Sequence, residues 1–236
     1  GCPAEEQLTG KVFMARGHAF DGLDIALSYH PLFTTEVSVG NSSAMNTAKF
    51  HFKGRTAHAG GDPHNGRSAL DAVELMNVGA NYLREHVTSD VRIHYTITEG
   101  GTAPNIVPDK ACVWYYVRAM RREAVEDVYA RLVKVAKGAA MMTETEVEIE
   151  FLGGCYNTMA NMVLSELVHK NMGAVPQDPW TPEEIQMARE MSEASGQNWE
   201  NVRRAYNLGE NDTLSSTVQP MKFIDQYGST DVGDVM

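Results

Sequence analysis

Apolar residues recur along this chain with two periods, and the changes of period mark its organisation. Leu8, Val12 and Ala15 fall on one face of a helix predicted over 7–19, with Gly17 as its stop. Leu23-Asp24-Ile25-Ala26-Leu27-Ser28-Tyr29 reads as a strand that ends at His30. Phe33 to Ser43, with Gly40-Asn41-Ser42-Ser43, reads as a loop or hinge, and a different unit opens at Ala44. There the pattern becomes regular. Met45 to Lys53 alternates as a strand and stops at Gly54. A loop rich in Gly, Pro, Asp and Asn follows, from Arg55 to Gly66. Ser68 can cap a helix to about His86, in which Leu70, Val73, Met76, Ala80 and Leu83 keep the helical period.

Val91 to Thr98 alternates again, the turn Gly100-Gly101-Thr102-Ala103-Pro104-Asn105 reverses the chain, and Ala111 to Ala119 is a third strand. Arg122 to Met142 is a second helix, with Val125, Val128, Leu132 and Val135-Ala136 on its apolar face. Val147, Ile149 and Phe151 mark a fourth strand. The order βαββαβ predicts a four-stranded antiparallel sheet with two helices on one face. Beyond Gly153-Gly154 the helical period returns in 161–172 and 198–206. Thr181-Pro182-Glu183-Glu184 is a strong start signal for a helix to about Ala194. Residues 210–220 read as mostly irregular.

Composition narrows the function classes. At 236 residues and 43% hydrophobic, the chain can bury one large core or two small ones. Its net charge of −11, with no basic stripe, argues against a nucleic-acid partner. The three cysteines, Cys2, Cys112 and Cys155, are odd in number and far apart, so no disulfide framework is expected and a reducing cytoplasm is the default. No apolar run is long enough for a membrane span, and no leader pattern is visible.

The first candidate chemistry lies in Pro3-Ala4-Glu5-Glu6 and His30. A carboxylate can hold a metal, its neighbour can take a proton from water, and a His can add a further ligand. The same Glu-Glu also suits an ordinary helix start, where acids favour the positive end of the dipole. Gly1-Cys2-Pro3-Ala4-Glu5-Glu6 resembles the Gly-Thr-Pro-Ala-Glu-Glu motif of the aminoacylase and carboxypeptidase G-type zinc metallopeptidases, with Cys2 in place of Thr. The 24 positions from Glu6 to His30 resemble the interval of the amidohydrolase branch, most like its p-aminobenzoyl-glutamate hydrolase group. Three further segments resemble that family in order: Gly54 to Ala59, Gly100 to Pro108, and Val117-Arg118-Ala119.

The resemblance implies an α/β (α+β) architecture. A catalytic α/β domain, here 1–43 and 157–236, is interrupted by a ferredoxin-like βαββαβ lid, 44–156, that also dimerises. It implies that Glu5 is the general base, that Glu6 and His30 hold metal, and that His58 reaches the partner subunit's site and supports the oxyanion. Asn105 and Arg118 would grip a substrate carboxylate. The metal would be zinc or manganese, two ions in an intact parent, and the substrate an N-acyl or N-aroyl amino acid such as p-aminobenzoyl-glutamate. A homodimer through the lid is expected. Read without the family, His58 can bond to its own backbone, Asn105 can make a turn, and Arg118 can be a surface ion pair. His64 is the alternative in the His58 loop, whereas His18, His51, His86, His94 and His169 read as structural or exposed. Asp231 and Asp234 are given no role. The family's early His-x-Asp or Cys-x-His pair and its late His have no counterpart in this sequence. The chain is therefore expected to be an internal piece, weak in metal and inactive alone. The alternative is a dimerising, binding module without catalysis.

Overall fold

The computed structural model describes residues 10–31, 34–176, 178–205, 214–215 and 217–236. Glu5 and Glu6 lie outside the described residues. The chain divides into two compact units: 1–21 with 41–159 and 226–236, and 22–40 with 160–225.

The first unit is built on a sheet of four strands, β1 (Ala44–Lys53), β2 (Arg92–Glu99), β3 (Lys110–Ala119) and β4 (Glu146–Cys155). Their order is β2-β3-β1-β4, and every neighbouring pair is antiparallel. After α1 (Gly10–Arg16), two helices follow β1 and β3 in the chain, α2 (Ala69–Leu83) and α3 (Arg122–Thr143). The βαββαβ order expected from alternation is the order observed. Phe50, Phe52, Val113, Tyr115 and Val117 on one sheet face share a core with Val73 and Met76 of α2 and Val125 and Leu132 of α3. Successive strand residues point to opposite faces, so Thr47, Lys49, Trp114, Tyr116 and Arg118 belong to the other face.

Local chemistry sets the helix ends. The Ser68 hydroxyl accepts from the Asp71 amide at 3.1 Å and caps α2. α3 ends with Glu144 in the left-handed region (φ 53°), an uncommon conformation for a residue with a side chain. Its carboxylate meets Arg67, 2.8 Å away. One polar pair crosses the core, where the Tyr115 hydroxyl donates to Asn77 Oδ1 at 2.5 Å. Burial pushes the Tyr115 hydroxyl well above its ordinary pKa, so it stays protonated and can donate.

The flanking pieces of this unit close on the sheet through charge. Val12 of α1 packs on Met45 and Tyr116. The fully buried Asp231 accepts from the Lys11 amide at 2.6 Å and meets Lys11 Nζ at 2.7 Å. It therefore caps α1 from 220 positions away. Asp234, in the same 3-10 turn (Asp231–Asp234), accepts from the Tyr156 amide at 3.0 Å.

In the second unit, α4 (Met162–Ala174), α5 (Pro182–Ala194) and α6 (Trp199–Ala205) are helical. The start signal before α5 is a full capping box: Thr181 and Glu184 each accept from the other's amide. The strand expected over 23–29 does not form. Leu23, Ile25, Leu27 and Tyr29 are 61%, 59%, 69% and 91% exposed, and no described residue pairs with them. A strand is stable only beside a neighbour that takes its backbone hydrogen bonds, and alternation alone cannot supply one. Two isolated parallel bridges join the expected hinge to residues near the end of the irregular stretch and just past it, Thr35 to Val218 and Val39 to Phe223.

Candidate active site

The β1–α2 loop carries His58, and its closure begins at Gly54. The Gly54 amide donates to the Asp109 carbonyl at 2.8 Å, and Arg55 and Arg67 exchange both backbone hydrogen bonds at 2.8 Å. A Cβ on Gly54 would stand 2.0 Å from the Arg67 carbonyl oxygen, so only glycine permits this approach. The loop then runs beside the β2–β3 turn. The Val107 amide donates to Ala57 and the Ala59 amide to Asn105, both at 2.9 Å. His58 and Ile106 form an antiparallel bridge between these two hydrogen bonds.

This pairing holds the His58 ring in a defined state. Nδ1 accepts from the Gly60 amide at 3.2 Å and from the Gly61 amide at 2.9 Å. Two donors on Nδ1 leave the proton of the neutral imidazole on Nε2, which becomes a donor on an exposed side chain. His58 does bond to its own backbone, and that bonding prepares the ring to donate. Its neighbour His64 instead lies 3.3 Å from Asp62, which also accepts from Asn65 at 2.7 Å.

The structure brings His58 and Asn105 together and separates both from Arg118. Arg118 stands one residue from the far end of β3. With about 3.4 Å of rise per residue, the run from Lys110 to Arg118 alone spans roughly 27 Å. Arg118 is no surface ion pair: among the described residues it meets no carboxylate, its Nε is buried without a hydrogen-bond partner, and its guanidinium lies 5.5 Å from the Tyr116 ring.

His30 is exposed, with Nδ1 3.1 Å from the Pro31 carbonyl oxygen. Among the described residues no three His, Cys, Asp or Glu side chains gather as a metal site. Carboxylate and imidazole are donors that zinc and manganese accept, but the described residues do not by themselves complete a site.

Sequence reasoning missed the staple on the His58 loop. Arg67 donates to the carbonyls of Gly66 (2.6 Å) and His64 (3.2 Å) and to Glu144 (2.8 Å). Glu144 is 77 positions away, so no local pattern announces the contact. The staple borders a polar cavity of about 320 Å³, which His58, Asn105 and Arg118 do not line.

A family model described as peptidase dimerisation domain matches residues 42–141, which hold β1, β2, β3, the His58 loop and most of α3. One of the p-aminobenzoyl-glutamate hydrolase subunits of Escherichia coli is 38% identical over the whole chain, which spans 52% of that protein. The Xaa-Arg dipeptidase of Mus musculus is 30% identical over 72% of the chain and 40% of its own length. The crystal structure of the aminobenzoyl-glutamate utilization protein from Klebsiella pneumoniae superposes with a TM-score of 0.65 at 21% identity. It covers 100% of this chain and 51% of that one, which speaks for the fold. The chain thus spans about half the length of the relatives it matches, and those relatives are hydrolases of a family whose enzymes are generally metal-dependent. With its four-stranded sheet, its His58 loop and these matches, the chain carries the peptidase dimerisation domain of that hydrolase family.

Proposed function

We propose that the protein carrying this chain hydrolyses the amide bond of an N-acyl or N-aroyl amino acid resembling p-aminobenzoyl-glutamate, as a metal-dependent homodimer. Residues 44–156 serve as its lid, between parts of the catalytic domain at 1–43 and 157–236. The observation that carries this reading is the His58 ring, whose Nε2 is made a donor by two backbone amides on Nδ1. A donor preset before substrate arrives stabilises a tetrahedral oxyanion without reorganising during the reaction.

Each residue has one task. Glu5 takes a proton from the attacking water and passes it to the leaving amine. Glu6 and His30 are ligands for zinc or manganese, which supplies polarisation of the carbonyl and a more acidic water. Arg118 presents a forked donor to a substrate carboxylate, and Asn105 fixes the substrate beside His58. No small amide reaches Arg118 and the His58–Asn105 pair of one chain, given the length of β3 between them. The two ends of the lid therefore act in different sites, with His58 and Asn105 of one subunit completing the site that Arg118 of the other serves.

Subunit mixing tests this directly. Full-length His58→Ala and Arg118→Ala proteins should each be nearly inactive. Mixed and allowed to exchange, they should regain activity, because half the sites in each heterodimer are intact. Failure to complement, with exchange shown by mass spectrometry, refutes the shared site.

A further inference from the structure

The sheet face turned away from α2 and α3 carries charge unevenly. Towards β4, acids lie beside basic side chains: Lys53 meets Glu148 at 3.0 Å and His51 meets Glu150 at 2.9 Å. At the end of β2 that meets Arg118, the charged strand residues are basic. Arg92 lies directly across from Arg118, and His94 across from Tyr116. Residues opposed in an antiparallel pair share a face, with Cβ atoms roughly 4.5–5.5 Å apart. Two arginines opposed in this way repel each other, and the pair is destabilising unless something neutralises it. Among the described residues no carboxylate forms an ion pair with either.

Other features suit this patch to an anion. Arg118 Nε is buried with no hydrogen-bond partner, a state that folded proteins rarely leave uncorrected. Arg92 is held in place without being neutralised. One of its nitrogens donates to the carbonyls of Ser89 (2.6 Å) and Val91 (2.9 Å), and its guanidinium lies 4.8 Å from the Tyr227 ring. The surroundings of His94 register the same charge. Burial first, then Arg118, Arg84 and Arg92, hold its pKa below the ordinary value. Its neutral ring can still donate one hydrogen bond.

We infer that Arg92, His94 and Arg118 form one anion-binding patch that recognises a dicarboxylic amino-acid moiety, Arg118 taking one carboxylate and Arg92 with His94 the second. The patch would make the side-chain carboxylate of glutamate or aspartate a determinant of specificity, and it would repel a cationic side chain. This rests on the proposal that Arg118 holds substrate, and it adds Arg92 and His94 to that role.

The test is isothermal titration calorimetry on the full-length protein bearing Glu5→Gln, which reads binding without turnover. Three probes are compared: p-aminobenzoyl-glutamate, p-aminobenzoyl-glutamine, which replaces one carboxylate by an amide, and a dipeptide ending in arginine. The glutamate compound should bind at least about tenfold tighter than the glutamine compound, with the arginine dipeptide weakest. Arg92→Gln and His94→Gln should each remove most of that preference and leave glutamine-compound affinity within about twofold, whereas Arg92→Lys should retain part of it. Equal affinity for the first two probes, tighter binding of the arginine dipeptide, absence of binding by all three, or equal loss of both p-aminobenzoyl ligands in the variants would overturn the patch. Turnover assays on protein with Glu5 intact keep the two proposals apart. A protein that binds with this preference yet cleaves no amide defeats the hydrolase reading and leaves the patch standing.

Discussion

His58 shows how much of a side chain's chemistry is decided by its neighbours' backbone. Gly60 and Gly61 bring two amides to Nδ1, and the ring is left with one donor, on Nε2. Removal of a single oxyanion donor typically lowers kcat by about 10²–10³. His58→Ala in the full-length protein is expected to show a loss of that order, with KM little changed; a change confined to KM would assign His58 to substrate binding instead. Cys155 is the opposite case, a reactive group made inert. Burial, then the charges of Asp234 and Asp231, push its thiol up to about 12, so it stays protonated at neutral pH. Iodoacetamide at about pH 8 should spare Cys155 in the folded protein and label it only after denaturation, as peptide mass spectrometry would show.

At the level of elements, the four-stranded unit rests on one core and a few long-range ties. Leu132 is fully buried on α3 among the strands, and Leu132→Ala should lower unfolding free energy by about 2–5 kcal/mol in chemical denaturation. Asp90 links the approach to β2 with the end of β3. A hydrogen bond from the Thr88 side chain and one from the Met120 amide, at 3.0 Å, hold its carboxyl below the ordinary carboxylate range. A pKa lowered on folding contributes stability above the unfolded value and loses it as pH falls through the folded one. Asp90→Asn should therefore narrow the gap between melting temperatures at neutral pH and below about pH 4. An unchanged pH dependence would deny Asp90 that role.

The elements also mark how far the sequence could be read. β1, β3, α2 and α3 were legible because burying one face leaves a periodic trace, and Ser68 and Thr181 announced their helices through local hydrogen bonds. The expected strand at 23–29 failed because pairing depends on a neighbour, which no local pattern encodes. The caps and staples that tie distant segments were invisible for the same reason: Asp231 on Lys11, and Glu144 on Arg67. At the candidate site, the motif pointed to His58, Asn105 and Arg118. It did not reveal that β3 separates Arg118 from the other two, or that Arg92 stands across from Arg118. Such adjacency is a property of sheet register, visible only once the strands are paired.

For the whole molecule, the proposed shared site gives the four-stranded unit a part in catalysis although no metal site gathers among the described residues. One end of its sheet carries His58 and the other Arg118, too far apart for one small substrate. Among the described residues, no helix is long and apolar enough to cross a membrane. Light scattering on the full-length protein should give the mass of a dimer, and a monomer at working concentration would contradict the proposed sharing of His58 between subunits.

The most direct measurement is release of p-aminobenzoate from p-aminobenzoyl-glutamate by the full-length protein, with and without a metal chelator and with Glu5→Gln. The account predicts turnover that chelation abolishes, that zinc or manganese restores, and that Glu5→Gln lacks while still binding substrate. No turnover of this or any N-acyl amino acid by the metal-loaded dimer would contradict it and leave a protein that dimerises and binds without catalysis.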